Sequence, residues 1–414
     1  MHILYLKTDL HNKPLIAGGS VSHMLGVVQG FIELGHTIDI ATTIMLSELT
    51  TLPLITLYHL QMPSWLKFLR WKFNCLFSTF FFLLPTWKLV RKNRPAFIYQ
   101  RYSPFNFTGI LLSKLTKIPV IIEYNGSETW ALELWGKKSK RNIGIRIMKR
   151  CEDLVLHNAS KIVVVSEVLQ DQLLNLKLPS SKIIVAPNGV NTQFFDPQLC
   201  APISYAIPTG LFPSRPFVLG FIGTFGPWHG IELLANLIIK TEQNKQNIHF
   251  LLIGDGTLTS WLKDELSAQK ISTHRYTFTG TVNAEKARHY LAVCDAFICP
   301  TQPNADGSRF FGSPTKLFEY LSLGKPVIAS NLEQLTDIVS PAFFIDTTST
   351  INIVTNQVGF LVGPTDTDAY VRALTLLYDM PLDQKNRMGF NARQKAVENY
   401  TWVKHVEKIL MSGL

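Results

Sequence analysis

Residues 308–329 read SRFFGSPTKLFEYLSLGKPVIA, and this stretch decides the predicted fold. It passes from a turn at Gly312, Ser313 and Pro314 through an apolar helical pattern into the β-rich run KPVIA. Pro314 suits the first helical position, where no backbone N–H donor is needed. A helix that leads directly into an apolar strand is typical of a sheet covered by helices.

The same alternation of strand and helix patterns runs along the whole chain. Such an order favours parallel sheets built from right-handed βαβ units. The two series of β-rich runs are long enough for two sheets, which predicts an α/β fold with two doubly wound, Rossmann-like domains. The runs are HILYL, TIDIAT, FIYQR, VIIEY, KIVVVS and KIIVA in the first half, then FVLGFIG, HFLLIG, YTFTG, AFICP and KPVIAS in the second.

A proline-rich segment marks the predicted domain boundary. Residues 196–216 follow the sequence PNGVNTQFF, and their prolines are typical of a linker. We therefore predict one domain over residues 1–200 and another over residues 201–399. The tail that follows has helical periodicity. The linker prolines are Pro197, Pro202, Pro208, Pro213 and Pro216.

The composition is that of a globular intracellular protein. Hydrophobic residues make up 46% and charged residues 17% of the 414 residues, which allows real cores and argues against disorder. The cysteines are scattered without a CxxC pair, so neither a disulfide framework nor a structural zinc site is expected. We expect reduced thiols and a cytoplasmic location, because the start MHILYL lacks the layout of a signal peptide.

The excess positive charge is concentrated in one region. The net charge is +10, and residues 49–122 contain ten Lys and Arg but no Asp or Glu. The same region holds the apolar run FNCLFSTFFFLLP at residues 73–85, which is shorter than the roughly 20 residues of a membrane span. Flanked by Trp65, Trp71 and Trp87, it could lie in the interface of an anionic membrane on the inner, cytoplasmic face.

Two other interpretations of this region are open. It could be an ordinary buried helix with a solvated basic flank. Nucleic-acid binding is disfavoured, because the bases alternate with aliphatic and Phe runs rather than with a recognised binding motif.

The turn and helix of residues 312–319 predict a nucleoside diphosphate site without a metal ion. The phosphates would face the positive end of the helix dipole and the backbone of Gly312, Ser313, Pro314 and Thr315. All of these residues except Pro314 offer a backbone N–H donor. Lys316 adds a full positive charge, and Arg309 lies close enough in sequence to contribute. Glu319 follows one turn later, where its carboxylate could accept two hydrogen bonds from a ribose diol.

Glycine-rich turns after other strands add to this site. In GTFGPWHG, residues 223–230, the turn before a helix can hold a phosphate group through its backbone N–H groups. The glycines of IGDG and FTGTV fit turns that approach a flat nucleobase. The predicted contacts in these turns are Gly223, Thr224, His229, Gly254 and Val282.

Two turns in the first half are weaker candidates. Gly18 and Gly19 precede an apolar helical pattern and could approach an anion, although a plain tight turn fits equally well. Asn125 and Glu128 follow the strand VIIEY within NGSE, where Ser127 or Asn125 could instead cap a helix.

The chain resembles family 4 glycosyltransferases of the GT-B fold. The likeness covers nearly the whole chain: Gly18 and Gly19, then SEVLQ, PNGVN, GTFGPWHG, IGDG, FTGTV and SPTKLFEYLSLGKPVIAS, of which the last is specific. The resemblance implies two domains facing a cleft, with the nucleotide held by the C-terminal domain and the acceptor entering from the N-terminal one. It also implies a last helix, residues 400–414, that packs back on the first domain.

The resemblance further implies a retaining transfer that needs no metal cofactor. The nucleotide sugar is the donor, and the diphosphate leaves from the face that the acceptor attacks. Leu317 joins the donor-binding residues on this basis, and Arg101 and Glu128 are expected on the acceptor side. Asn125 falls where the family has a catalytic histidine.

This chain departs from the family at the sugar and at the phosphates. The first member of the family's glutamate pair falls at Phe311, so only Glu319 remains. The family's phosphate-binding Arg and Lys fall at Thr224 and His229, so Lys316 should supply much of the positive charge. The donor sugar therefore stays open.

We expect a hexosyltransferase that builds a cell-surface glycan such as a polysaccharide or lipopolysaccharide. UDP or another nucleoside diphosphate would carry the sugar, and a lipid-linked or polysaccharide acceptor at an anionic membrane would receive it. The alternatives are a GT-B epimerase or phosphorylase, whose motifs are not obvious, and a non-catalytic sugar-nucleotide-binding partner of a glycan assembly complex.

Overall fold

The computed structural model describes residues 1–8, 19–44, 47–50, 52–61, 71–134, 143–203, 214–351 and 353–413. Two compact units divide the chain. The first unit comprises Met1–Leu15, His23–Pro187 and Trp402–Leu414, and the second comprises Ile16–Ser22 and Asn188–Thr401. The domain limits drawn from the sequence stay a prediction.

The first unit is built on a parallel sheet covered by helices. Its strand order is β3-β2-β1-β4-β5-β6-β7, and every pairing is parallel. The strands are β1 (His2–Lys7), β2 (Thr37–Thr42), β3 (Ile55–His59), β4 (Phe97–Arg101), β5 (Val120–Tyr124), β6 (Lys161–Val164) and β7 (Ile183–Val185). The helices are α1 (Gly19–Glu33), α2 (Ser47–Thr50), α3 (Trp71–Asn93), α4 (Thr108–Thr116), α5 (Glu128–Leu134), α6 (Ile143–Asn158) and α7 (Glu167–Asn175).

The second unit repeats this plan. Its sheet has the order β10-β9-β8-β11-β12-β14-β13, again parallel throughout. The strands are β8 (Phe217–Ile222), β9 (Ile248–Ile253), β10 (Tyr276–Gly280), β11 (Ala296–Cys299), β12 (Val327–Ser330), β13 (Phe343–Ile345) and β14 (Gly359–Val362). The helices are α8 (Ile231–Gln243), α9 (Thr259–Ala268), α10 (Ala284–Ala292), α11 (Thr315–Ser322), α12 (Glu333–Val339), α13 (Thr367–Asp379) and α14 (Leu382–Asn399).

The central strands are buried on both faces, as parallel sheets covered by helices require. In the second unit one apolar cluster packs α8 and α13 against one face, and another packs α11 against the other. The two doubly wound sheets confirm the predicted fold class. All of the predicted strands form, and three further short strands were not predicted: β3, β13 and β14.

The turn of the opening stretch differs by one residue from its prediction. Pro314 is the residue before α11 and has extended backbone angles, so the helix begins at Thr315 rather than at the proline. The physical reason is that Pro314 has a ψ of 114°, which lies outside the helical region.

The last helix, α15 (Trp402–Met411), packs on α1 in the first unit. Two glycines of α1 leave room for it. A Cβ built on Gly26 would overlap the Trp402 indole, and one built on Gly30 would collide with the Trp402 backbone. Trp402 is buried, and its ring packs edge-on against His23 and His405.

Gly26→Ala should therefore destabilise the protein. Inserting one methyl group into a close-packed contact costs about 1–3 kcal/mol, because neighbouring side chains leave their preferred rotamers. Urea denaturation would measure this cost. The Gly26→Ala and Trp402→Ala double variant is the control: with the indole gone, adding the methyl group should cost far less, and equal cost in both backgrounds would contradict the packing described.

Candidate functional site

The site predicted from the sequence lies at the carboxyl ends of β8 and β11. The strand order of the second sheet reverses between these neighbours: β9 and β10 continue beyond β8, while β12 continues beyond β11. Loops that leave adjacent strands in opposite directions open a crevice, where ligands of doubly wound sheets bind. Gly223 follows β8, and α11 follows β11.

Lys316 lies in the first turn of α11 with its ammonium group buried. The residue is 7% exposed, and its Nζ lies 4.4 Å from the centre of the Phe221 ring. A Cβ built on Gly223 would approach this Nζ to 2.6 Å, so only a glycine leaves the lysine its present place. Among the described residues, Nζ has no hydrogen-bond partner.

A buried ammonium without a partner carries a large desolvation cost. Burial lowers the pKa of Lys316 to about 8, although Cys299 and Glu319 act in the opposite direction. The contact with the Phe221 ring offsets part of the cost, since the face of an aromatic ring attracts a cation. Three N–H donors remain to be used, which is the chemistry of a site for an anion.

Glu319 lies one turn further along α11 and is half-buried. Burial raises its pKa to about 7, and the charge of Lys316 lowers it in part. Within the described part of the chain, no hydrogen bond or ion pair to its carboxylate is found. An ionised carboxylate offers acceptors to a pair of hydroxyl groups, so Lys316 and Glu319 present opposite charges along one helix.

His229 lies beside Lys316 and is neutral. Its Nδ1 is bonded to the backbone oxygen of Thr224, and the Thr224 hydroxyl lies 3.4 Å away. Burial, then the charge of Lys316, lowers the pKa of His229 to about 3. Because a carbonyl oxygen only accepts, Nδ1 carries the proton and Nε2 is an acceptor. Donation from His229 to a phosphate would therefore need a second proton.

Backbone segments after three strands pack tightly around this crevice. Gly254 has a φ of +121°, and a Cβ on it would overlap the oxygen of Gly223. Gly254 donates its N–H to the oxygen of Gly280 at 3.0 Å, which joins the turns after β9 and β10. Val282 follows and is half-buried against the core. The predicted contacts Gly223, Gly254 and Val282 thus lie in one continuous set of turns.

The start of α11 is fixed by Asn188 of the PNGVN segment. The Asn188 backbone N–H donates to the Ser313 hydroxyl at 3.1 Å, and its side-chain amide donates to the Ser313 oxygen at 2.6 Å. Pro314 provides no side-chain cap. The N–H groups at the start of a helix have no partner within it, so those of Thr315 and Lys316 are available to an anion.

Sequence reasoning did not assign a role to Asn188. The PNGVN segment contributed only to the family resemblance. An Asn before a glycine is also typical of an ordinary turn, and the partner Ser313 lies far away in sequence, so no local pattern indicated the contact.

The remaining predicted donor residues differ in their surroundings. Arg309 is largely exposed, and its Nε lies 3.8 Å from the Glu333 carboxylate. A Cβ on Gly312 would meet the Phe310 ring at 2.7 Å. Leu317 is fully buried in the core, and its N–H donates to the oxygen of Pro314 at 3.1 Å. Neither its side chain nor its amide is therefore free for a ligand.

The glycine pair of the first loop is described in part. Gly18 lies outside the described residues. Gly19 is exposed at the first position of α1 and belongs by its contacts to the second unit. A Cβ on Gly19 would lie 3.6 Å from the Thr315 hydroxyl, an ordinary contact distance. Gly19 is thus close to the start of α11.

In the first unit, Arg101 and Asn125 meet at one buried carboxylate. Arg101 ends β4, and Asn125 follows the neighbouring β5. Both contact Glu123, Arg101 through Nη1 at 3.3 Å and Asn125 through Nδ2 at 2.6 Å. Glu128 is exposed at the start of α5, where the Ser127 hydroxyl accepts from the N–H of Trp130 at 3.3 Å. The capping role that was open for Ser127 is therefore the one found.

Neither a metal centre nor a membrane-spanning helix is found among the described residues. No three or more His, Cys, Asp or Glu side chains in these ranges come together as metal ligands. No helix there is long and apolar enough to cross a bilayer.

Comparison with protein families identifies both halves of the chain. Residues 17–194 match the family model Glycosyltransferase Family 4, and residues 216–380 match the model Glycosyl transferases group 1. The chain is 23% identical over 337 residues to the uncharacterized glycosyltransferase MJ1607 of Methanocaldococcus jannaschii, which covers 79% of this chain and 80% of that protein.

Two further comparisons agree. TuaH of Bacillus subtilis, named as a glycosyltransferase of teichuronic acid biosynthesis, is 26% identical over 240 residues, 57% of this chain and 57% of TuaH. The crystal structure of Anabaena HepE in complex with UDP and glucose superposes with a TM-score of 0.67, covers 100% of this chain and 99% of HepE, and is 15% identical. The chain is a glycosyltransferase of the GT-B fold, with a family 4 domain followed by a group 1 domain.

The lowered pKa of Lys316 predicts how stability depends on pH. In the unfolded chain a lysine keeps its proton up to about pH 10.4, whereas folded Lys316 loses it near pH 8. Between these values the unfolded state binds more protons, so the free energy of unfolding should rise with pH through this residue.

Urea denaturation at pH 7.5 and pH 10 would measure this rise. Lys316→Met should gain stability over the wild type at pH 7.5 and lose most of that gain at pH 10. Lys286→Met, at an exposed lysine on α10, is the control and should show no such change. If the difference in free energy of unfolding between Lys316→Met and the wild type did not change with pH, the buried, unpaired ammonium would be contradicted.

Proposed function

We propose that this glycosyltransferase moves a sugar from a nucleoside diphosphate to a lipid-linked or polysaccharide acceptor during the synthesis of a cell-surface glycan. The observation that carries the donor assignment is the buried Lys316 ammonium, which lacks a partner among the described residues. It lies beside the glycine of the turn after β8 and one turn before Glu319. A diphosphate followed by a ribose matches this order of charges.

The phosphates would bind at the start of α11. Lys316 and the unpaired N–H groups of Thr315 and Lys316 supply donors there, and Gly223 leaves space for close approach. Glu319 would accept hydrogen bonds from the ribose hydroxyls, and the turns at Gly254 and Val282 would line the base. That HepE binds UDP supports UDP as the nucleotide.

The same groups would stabilise the leaving diphosphate. As the bond from the sugar C1 to the phosphate oxygen breaks, negative charge grows on that oxygen, and fixed donors lower the barrier most where charge develops. The acceptor oxygen forms the new bond to C1, and its proton passes to the departing phosphate. We propose that protein groups neutralise this charge without a metal ion.

Retention of the anomeric configuration is part of the proposal. It rests on the resemblance to family 4, and Phe311 stands where that family has its first glutamate. The half-buried Phe311 cannot hold sugar hydroxyls as a carboxylate does. His229 offers an acceptor at Nε2 instead, beside Lys316. We propose that Nε2 accepts from a hydroxyl of the donor, with the phosphates left to Lys316.

The role in a cell-surface glycan is supported by TuaH, which is named for teichuronic acid biosynthesis. The chain spans about 57% of the length of TuaH, so the acceptor of that protein is not transferred to this one. A glycan built at the inner face of a membrane would require the enzyme to reach the lipid surface.

Helix α3 provides a surface suited to such a membrane. Four large apolar side chains form a ridge on its exposed side, at positions three or four residues apart. We call them the α3 ridge: Phe77 (41% exposed), Phe80 (64%), Phe81 (37%) and Leu84 (57%). The opposite side is buried, with Phe82, Leu89 and Val90 in the core.

The next turns of α3 carry positive charge. Lys88, Arg91 and Lys92 are exposed there, and the Arg91 guanidinium lies 4.9 Å from the centre of the Trp87 ring. An apolar ridge beside bases and an indole is the composition of a helix that lies in the interface of an anionic membrane. We therefore propose that α3 holds the enzyme peripherally at the inner face of the cytoplasmic membrane. The exposed ridge supports this proposal over the ordinary buried helix with a solvated basic flank.

Removing either charge of α11 should impair donor use. Lys316→Ala should lower turnover of the donor about 100- to 1,000-fold, because it removes a group that acts on developing charge. Glu319→Ala should weaken donor binding about tenfold or more, as expected for a hydrogen bond to a charged group. Nucleotide release and calorimetric titration with UDP, GDP and ADP measure the two effects.

Lys286→Ala is the matched control and should behave as the wild type. Unchanged nucleotide release in both Lys316→Ala and Glu319→Ala would place the donor elsewhere. Nucleotide release by the wild type only when a membrane lipid extract is added would separate a transferase from an epimerase or a binding protein. Binding without release in any mixture would favour the non-catalytic alternative.

Replacing two phenylalanines of the α3 ridge should weaken membrane binding. The wild type should float with vesicles of phosphatidylglycerol and phosphatidylcholine at low salt, and Phe80→Ser with Phe81→Ser should lower the bound fraction several-fold, because buried apolar area and basic charge act together. Phe390→Ser alters an equally exposed phenylalanine of the second unit and should bind as the wild type. Wild-type protein that stays unbound would overturn the membrane proposal.

A further inference from the structure

A buried charge cluster lies beneath the acceptor-side residues of the first unit. Glu123, in β5, is 1% exposed, and a single oxygen of its carboxylate, Oε1, is contacted by three polar groups, one through a hydrogen bond and two at ion-pair distance. These are Asn125 Nδ2 at 2.6 Å, His23 Nε2 at 3.0 Å and Arg101 Nη1 at 3.3 Å. Three elements, α1, β4 and β5 with its following loop, thus meet at one atom.

The carboxylate of Glu123 is ionised. Burial alone would raise its pKa, but His23, Arg101 and the hydrogen bond from Asn125 together outweigh burial and hold the pKa well below its usual range. A buried carboxylate needs such donors, because an uncompensated charge in the interior is strongly destabilising. Glu123 therefore exerts a fixed attraction on all three.

This attraction fixes the orientation of the Asn125 amide. An ionised carboxylate only accepts hydrogen bonds, so the amide group that faces Glu123 must be the NH₂. The alternative orientation, in which the amide oxygen faces Glu123, is therefore excluded. Its carbonyl oxygen, Oδ1, then faces away from Glu123. Asn125 is half-buried, and Oδ1 has no hydrogen-bond partner within the described ranges.

We propose that Glu123 is a positioning residue, which holds Asn125 so that its Oδ1 accepts a hydrogen bond from a sugar hydroxyl of the acceptor. Asn125 follows β5 at the carboxyl edge of the first sheet, next to the end of β4, where doubly wound sheets bind ligands. The inference rests on the proposed function, since it presupposes an acceptor on this unit. Glu123 itself is buried and does not touch the acceptor.

A structural role alone would not couple Glu123 to Asn125 in catalysis. His23 and Arg101 would still be held by Glu123 if Asn125 were absent. A double-mutant cycle therefore distinguishes the two roles, because it isolates the effect that passes through one pair.

The test measures transfer from the sugar nucleotide that stabilises the wild type most among UDP-, GDP- and ADP-glucose, with a membrane lipid extract as acceptor. Glu123→Gln and Asn125→Ala should each lower transfer about 5- to 100-fold, the range expected when a sugar hydroxyl is left without its acceptor. Donor affinity should not change. The double variant should transfer sugar no more than about two times more slowly than the slower of the two single variants.

Asn125→Asp tests the same proposal if the Glu123→Gln variant does not fold. The aspartate retains acceptor oxygens but faces Glu123 with a second carboxylate, so transfer should fall as in Asn125→Ala. Near wild-type transfer in Asn125→Asp, or losses that multiply in the double variant, would overturn the inference alone. Wild-type protein without transfer to any extract would overturn the proposed function and the inference with it.

Discussion

An ammonium group held away from water without a hydrogen-bond partner is the constraint around which the second unit is organised. The Lys316 Nζ lies between the Phe221 ring and the backbone at Gly223, where a larger residue would displace it. Such an arrangement is costly in the free protein, and binding of the anion that we propose would offset this cost. The turns at Gly223 and Gly254, and the start of α11 fixed by Asn188, all serve to maintain this place for the lysine.

The first unit also contains a buried charge, but this charge has polar partners. Its buried charge, Glu123, is surrounded by donors and so stays ionised inside the fold. Among the described residues the Lys316 ammonium has no hydrogen-bond partner, whereas Glu123 has three polar contacts at Oε1 and a buried Oε2 without a partner. The same architecture, a parallel sheet with helices on both faces, thus carries one buried charge for which we propose an anionic ligand and another that contacts side chains at the edge of the sheet.

The fold could be predicted from the sequence to a large extent, because long β-rich runs such as FVLGFIG and VIIEY are buried on both sides and leave a clear signal. The strands β3, β13 and β14 were missed, since runs of three to five residues carry little information even where they are apolar, as in FFI and GFLV. Lys316 and Glu319 were named because the chemistry of a local motif indicated them. Glu123, His23 and Asn188 were not, because their roles arise from partners distant in sequence.

The contact of Trp402 with α1 joins the two ends of the chain within one unit. This contact has a consequence for folding during synthesis of the protein. Residues 1–187 emerge from the ribosome long before residue 402, yet the groove of Gly26 and Gly30 stays unfilled until then. The contact surface of α1 in the nascent first unit therefore stays exposed until the last helix is made. The long continuous part of the second unit, Asn188–Thr401, is complete before then. A fusion or stalled ribosome that delays release of the last helix would prolong this vulnerable period.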